Sequence, residues 1–295
     1  PERQPMSDAT ERFPPTGKIL TVHGHRVHVH VSDPRPPVIL IHGAGANTRD
    51  FTFSLTARLE DRYRLYAFDR PGLGHTPPLH HHGETPEEQA ALLDAAAGEL
   101  GIGQAVIVGH SYGGAVALAW AMNHPGRVAA VVVLAGAVMP WGAELGFLYR
   151  AVASWSGGMV AVPMIAALAP RSLVSQTLHE IFAPQRPPEG YEAYIGADLT
   201  LRPESLRANA RQIHGLNEAL HQQAPRYPGI SVPVEILHGT EDRIAPIAVH
   251  ARPLARAIAQ AHLRELEGIG HMPHHAAPGD TVAAIDRAAA RAGLR

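Results

Sequence analysis

Short, mostly apolar runs set off by glycine and separated by helical stretches constrain this chain more than any other feature. PVILIHG (37–43), RLYAFD (64–69), QAVIVG (104–109), AAVVVLAG (129–136) and VPVEILHG (232–239) are such runs of strand length, and the more polar HLRELEG (262–268) also reads as a strand. Continuous apolar character in so short a run predicts a strand buried on both faces rather than one with a wet side. Between them lie helical patterns. ETPEEQAALLDAAAGELG (84–101) carries acids in its first turn and Gly101 after its last, and GGAVALAWAMNHP (113–125) is nearly all apolar and stops at Pro125. Further helices are predicted over TRDFTFSLTARLED (48–61), with Asn47 at its start, near 247–260, and from about 280. Ahead of all these, KILTVHGHRVHVHVSD (18–33) alternates residue types about His23-Gly24, as a hairpin would. Strands alternating with helices imply an α/β fold with a mostly parallel sheet covered on both faces.

The alternation lapses between Ala137 and Ser231. That region is rich in Pro, Met, Trp and Tyr, reads as several helices and lacks strong strands. It is expected to be a helical cap over residues 138–230, inserted into a core made of 18–137 and 231–292. Trp141, Tyr149, Trp155, Met159, Met164, Phe182 and Tyr191 are expected to pack it onto the sheet, some of them lining an apolar pocket. Within it, 151–170 is uncharged and long enough to cross a bilayer, but Gly157, Gly158 and Pro163 interrupt it and sheet segments flank it, so no stable membrane insertion is expected.

Composition excludes several functions. A formal net charge of −2 without a block of like charges gives no footing for nucleic acid. The absence of cysteine removes disulfides and thiolate chemistry. The polar, proline-rich N-terminal stretch lacks the apolar core of a signal peptide, Met6 reads as a natural start, and a cytoplasmic location is expected. His80-His81-His82 lies in a proline-rich loop, where consecutive histidines make no preorganised metal site. No metal and no cofactor are expected, and a homodimer is allowed.

Four of the strand ends carry candidate chemistry. Gly109-His110-Ser111-Tyr112-Gly113 follows a strand and opens a helix, where small flanking residues permit a tight turn that lifts the Ser111 hydroxyl above the sheet edge. His42-Gly43-Ala44-Gly45 ends another strand. The backbone amides of Ala44 and Tyr112 are the candidate pair for holding the oxygen of a tetrahedral intermediate, worth about 3 kcal/mol per donor. Asp242, in GTED, is favoured over its neighbour Glu241 as an acid at a strand's C-terminal end. His271, in GIGH, is the candidate base for Ser111, with Asp242 fixing its tautomer. His274 and His275 are rivals expected to be exposed. Asp69-Arg70 and Gly72 to Gly74 are expected to brace the loop after their strand.

With HGAG (42–45), DRPGLGHT (69–76), GHSYGG (109–114), GTEDRIAP (239–246) and GIGHMPHH (268–275) in the order nucleophile, acid, base, the chain resembles the α/β-hydrolase superfamily over about residues 18–292. The resemblance implies an eight-stranded, mostly parallel sheet with an antiparallel second strand and a helical cap after the sixth. It also implies serine-based acyl transfer without a cofactor. Serine at 111 sets the chain apart from members with an aspartate nucleophile. In general look it is similar to small bacterial esterases and to the carbon–carbon bond hydrolases of aromatic degradation. The latter usually carry a longer glycine-rich loop than HGAGAN and a tryptophan where Met272 stands. The expected activity is therefore hydrolysis of a small to medium apolar carboxylic ester, with carbon–carbon hydrolysis of a diketone or ligand binding without turnover as the alternatives.

Overall fold

The computed structural model describes residues 7–31, 36–142 and 171–294. Eight strands form one sheet: β1 (Lys18–Val22), β2 (His25–Val31), β3 (Pro37–Ile41), β4 (Arg64–Phe68), β5 (Ala105–His110), β6 (Val128–Leu134), β7 (Val234–Gly239) and β8 (Ala261–Leu266). Their spatial order is β1-β2-β4-β3-β5-β6-β7-β8. Only β2 runs against its neighbours, and every pairing from β4 to β8 is parallel. The described helices are α1 (Ser7–Arg12), α2 (Arg49–Thr52), α3 (Pro86–Glu99), α4 (Tyr112–Asn123), α5 (Arg171–Phe182), α6 (Tyr191–Ile195), α7 (Ala197–Thr200), α8 (Pro203–Gln223), α9 (Ala251–Ala257), α10 (Pro273–Ala276) and α11 (Pro278–Arg291).

The apolar runs are continuous because both faces of the sheet are buried. Successive strand side chains point to opposite faces, and in β3 the residues Ile39 and Ile41 join the core under α3 and α4 while Val38 and Leu40 join the core under α11. β5 and β6 divide the same way, with Ile107 and Val131 on one side and Val106 and Val132 on the other. Thr85 caps α3 with a reciprocal capping box to Glu88, and Pro86 opens the helix.

The helix predicted over 48–61 is not continuous. It resolves into α2, a turn, and a 3₁₀ turn at Thr56–Arg58, with Arg58 N–H donating to Leu55 O and Leu59 N–H to Thr56 O. Phe51, Leu55, Leu59 and Tyr63 recur every fourth residue and are all buried. A spacing of four drifts by about 40° per step on a 3.6-residue helix, and over these residues the chain runs as short turns rather than as one straight helix.

Between β6 and β7 the described chain is helical from α5 to α8 and adds no strand. Phe182 and Tyr191 are buried against Met272. Tyr149, Trp155, Met159, Met164 and the apolar stretch 151–170 lie outside the described residues. Among the described residues no helix is long and apolar enough to cross a membrane.

Candidate active site

Parallel strands bring their C-terminal ends to one edge, and the chain places its polar loops there. Ser111 sits between β5 and α4 with φ 52° and ψ −117°, a left-handed conformation that costs a non-glycine residue about 1–3 kcal/mol. Its neighbours make that turn feasible. A Cβ on Gly109 would stand 2.1 Å from Gly113 O, and one on Gly113 would stand 2.2 Å from Ile41 O. The turn is tied to β6, with Ser111 N–H donating to Leu134 O at 2.9 Å. The residue is 8% exposed, enclosed but not sealed.

The structure brings Ser111, His271 and Asp242 together from three loops. Ser111 Oγ lies 3.0 Å from His271 Nε2, and His271 Nδ1 lies 2.8 Å from Asp242 Oδ2. Asp242 Oδ1 accepts from the Ile244 and Ala245 amides, both at 2.9 Å, so the carboxylate cannot rotate freely. Burial alone would raise the Asp242 pKa. Hydrogen bonds from His238 and His271 outweigh it and hold the carboxyl well below the usual carboxylate range. With Asp242 ionised, Nδ1 of His271 carries the proton and Nε2 presents its lone pair to the serine. Glu241, the neighbour weighed against Asp242, is exposed.

Ala44 is exposed in the loop after β3, and that loop passes directly over the serine. A Cβ on Gly43 would stand 3.2 Å from Ser111 Cβ. The Tyr112 amide is the first of α4 and so falls outside the intrahelical hydrogen-bond ladder. Arg70 does more than brace its own loop. Its Nε donates to His42 O and its Nη2 to Gly43 O, each at 2.9 Å, while its Nη1 donates to Gln89 and Gln212. The guanidinium also lies 4.3 Å from the centre of the Tyr112 ring. Burial lowers the Arg70 pKa to about 10, which leaves it charged at neutral pH.

His274 and His275 are not exposed. Their Nε2 atoms lie 3.1 and 2.8 Å from the two oxygens of Asp50, which also accepts from Tyr191 OH at 2.7 Å. Burial works against ionising Asp50, yet His274 and His275 hold its pKa well below the carboxylate range. His110 sits beside them, kept neutral by burial and by the neighbouring His274 and His271, and its Nε2 donates to His271 O at 2.9 Å. Asp50, His110 and His274 each offer a metal-ligand atom within 4.8 Å of the others. The three donors already on Asp50 satisfy it as a buried anion without an ion. This cluster was not foreseen, nor was His238, 3.1 Å from Asp242 Oδ2. The sequence did hold one signal for His238, a polar residue in the otherwise apolar end of VEILHG.

Comparison with known proteins agrees with this architecture. The chain is 29% identical over 276 residues to a 2-hydroxymuconate semialdehyde hydrolase of Pseudomonas putida, covering 90% of each chain. It is 30% identical over 232 residues to a pimeloyl-[acyl-carrier protein] methyl ester esterase of Vibrio atlanticus, covering 78% of this chain and 84% of the relative. Among solved structures, a thermophilic esterase from Thermogutta terrifontis superposes with a TM-score of 0.74 at 22% identity, over 93% of this chain and 98% of the other. The sequence profile of the alpha/beta hydrolase fold matches residues 36–278, and the chain belongs to that family.

Proposed function

We propose that the protein is a serine hydrolase of carboxylic esters. Ser111 is its nucleophile, His271 its general base and acid, Asp242 the residue that orients His271, and the Ala44 and Tyr112 amides the oxyanion hole. The single observation that carries this reading is the continuous hydrogen-bond chain from Ser111 Oγ through His271 to Asp242, at 3.0 and 2.8 Å. In the first half-reaction Ser111 Oγ bonds to the ester carbonyl carbon as its proton passes to His271 Nε2, and the carbonyl oxygen becomes the oxyanion. The carbon–oxygen bond to the alcohol then breaks, and the imidazolium returns that proton to the leaving oxygen. Water repeats the sequence on the acyl-enzyme, its proton passing by way of His271 to Ser111 and releasing the acid. No step needs a cofactor.

Residues 138–230 act in this reading as a helical cap that selects the substrate, a small to medium apolar ester. Carbon–carbon hydrolysis is the second reading, favoured by the likeness to the 2-hydroxymuconate semialdehyde hydrolase. A panel of p-nitrophenyl and aliphatic esters set against a ring-cleavage diketone separates the two, with Ser111→Ala as control. Turnover of esters well above that of the diketone supports the first reading. Diketone turnover with negligible ester hydrolysis replaces it with the second.

A further inference from the structure

Ala44 can serve an oxyanion only if its N–H points at the reacting carbonyl, and the loop that carries it has no regular structure of its own. Its peptide planes are nevertheless held one after another. Gly43 O accepts from both His42 Nδ1 and Arg70 Nη2, each at 2.9 Å. In a trans peptide the N–H lies opposite the C=O, so pinning Gly43 O on the Arg70 side directs the Ala44 N–H away from Arg70. The next plane is held by Gly45 N–H, which donates to Asn209 Oδ1 at 2.7 Å. The plane after that is held by Gly45 O, which accepts from Thr200 Oγ1 at 2.7 Å. Gly45 has φ +64°, and a Cβ there would stand 3.7 Å from both Asn209 and Thr200.

Two of these holds come from outside the core. Thr200 ends α7 and Asn209 lies on α8, both between β6 and β7 and more than 150 residues along the chain from Gly45. Gln212, one turn further along α8, accepts from Arg70 and donates to Pro71 O at 2.8 Å and Glu84 at 2.7 Å, so the same helix also steadies the arginine. We propose that Thr200 and Asn209 are positioning residues that set the oxyanion hole from the inserted helices, by fixing the peptide planes that follow Ala44. The proposal rests on the serine-ester reading. It assigns the inserted helices a share in the rate of the chemical step as well as in substrate choice. Their hydrogen bonds go to the loop backbone and not to the reacting atoms, so their loss misaims a donor and leaves Ser111, His271 and Asp242 in place.

The test compares Thr200→Val, Asn209→Ala and the double variant with the hydroxyl-retaining Thr200→Ser. The readouts are kcat and KM on a p-nitrophenyl ester and Ki for a trifluoromethyl ketone. That inhibitor's hemiketal oxygen occupies the oxyanion hole. Thr200→Val and Asn209→Ala are expected to lower kcat about 10- to 100-fold with KM within about twofold, as for a misaimed oxyanion donor. Ki should rise by the same factor as kcat/KM falls, and Thr200→Ser should restore most of the rate. A double variant with kcat within about twofold of wild type overturns the proposal. So does a loss that appears in KM alone, or one that Thr200→Ser suffers as fully as Thr200→Val. A wild-type protein that hydrolyses no ester instead overturns the serine-ester reading on which the proposal stands.

Discussion

Replacing Asp50 by alanine tests whether the buried histidines beside Ser111 and His271 are held by one carboxylate. Asp50 accepts from Tyr191 OH, His275 Nε2 and His274 Nε2 at 2.7, 2.8 and 3.1 Å and is itself wholly buried. The substitution removes three hydrogen bonds to a charged acceptor and leaves three buried donors without it. Leaving a buried donor unsatisfied costs about 1–3 kcal/mol, and with three donors affected the expected loss for Asp50→Ala is about 4 kcal/mol. For a chain of this size that corresponds to a fall in Tm of roughly 10 °C. Asp50→Asn keeps one acceptor oxygen and should cost less. The sign with pH also follows. A carboxyl whose pKa is depressed by folding stabilises the protein above the ordinary carboxylate range, and that stability is lost as pH falls toward its folded pKa. Urea denaturation at neutral pH, followed by circular dichroism and with unchanged m-values, measures the difference. A loss under about 1 kcal/mol for Asp50→Ala would refute the assignment of this carboxylate as the anchor of the cluster.

Two other perturbations have defined outcomes. Burial lowers the pKa of His42 and of His250 from 6.5 to about 4, so the unfolded chain takes up those protons first as pH drops. Stability from these residues is complete above pH 6.5 and falls away between 6.5 and 4, by about 2 kcal/mol for each at pH 5. Urea titrations at pH 7 and pH 5 check this, and equal stabilities at the two values would contradict it. Asp242→Asn keeps the acceptor for the Ile244 and Ala245 amides but presents an amide N–H₂ to His271 Nδ1. That favours the tautomer with its proton on Nε2, unable to accept from Ser111, and kcat should fall about 10³- to 10⁴-fold. A loss under tenfold in steady-state assays would remove Asp242 from its role.

Much of this was legible in the residues because the sheet is buried on both faces. A run such as VILI in β3 has few ways to satisfy that demand, and the glycines at its end mark where the chain turns. Gly109 and Gly113 were legible for the same reason, since backbone stands where their Cβ atoms would be. The sequence misled where a local pattern had two physical solutions. The stretch 48–61 read as one helix from its start signal at Asn47, but the chain buries Phe51, Leu55 and Leu59 through α2 and the short turns that follow it. His274 and His275 read as exposed because they stand where the last helix region begins. What buries them is Asp50, more than 220 residues away in the chain. The grip of Thr200 and Asn209 on Gly45 was invisible for a related reason. The inserted helices carry no strand register that would predict which of their faces meets the loop.

The central claim is that His271 activates the Ser111 hydroxyl as a nucleophile. The most direct measurement is the intact mass and peptide map of the protein after brief exposure to a fluorophosphonate, with Ser111→Ala and His271→Ala alongside. A single adduct on the peptide containing Ser111, absent in Ser111→Ala and slowed by orders of magnitude in His271→Ala, is the predicted result. Adduct at another residue, or labelling of Ser111 at an undiminished rate without His271, would contradict the account.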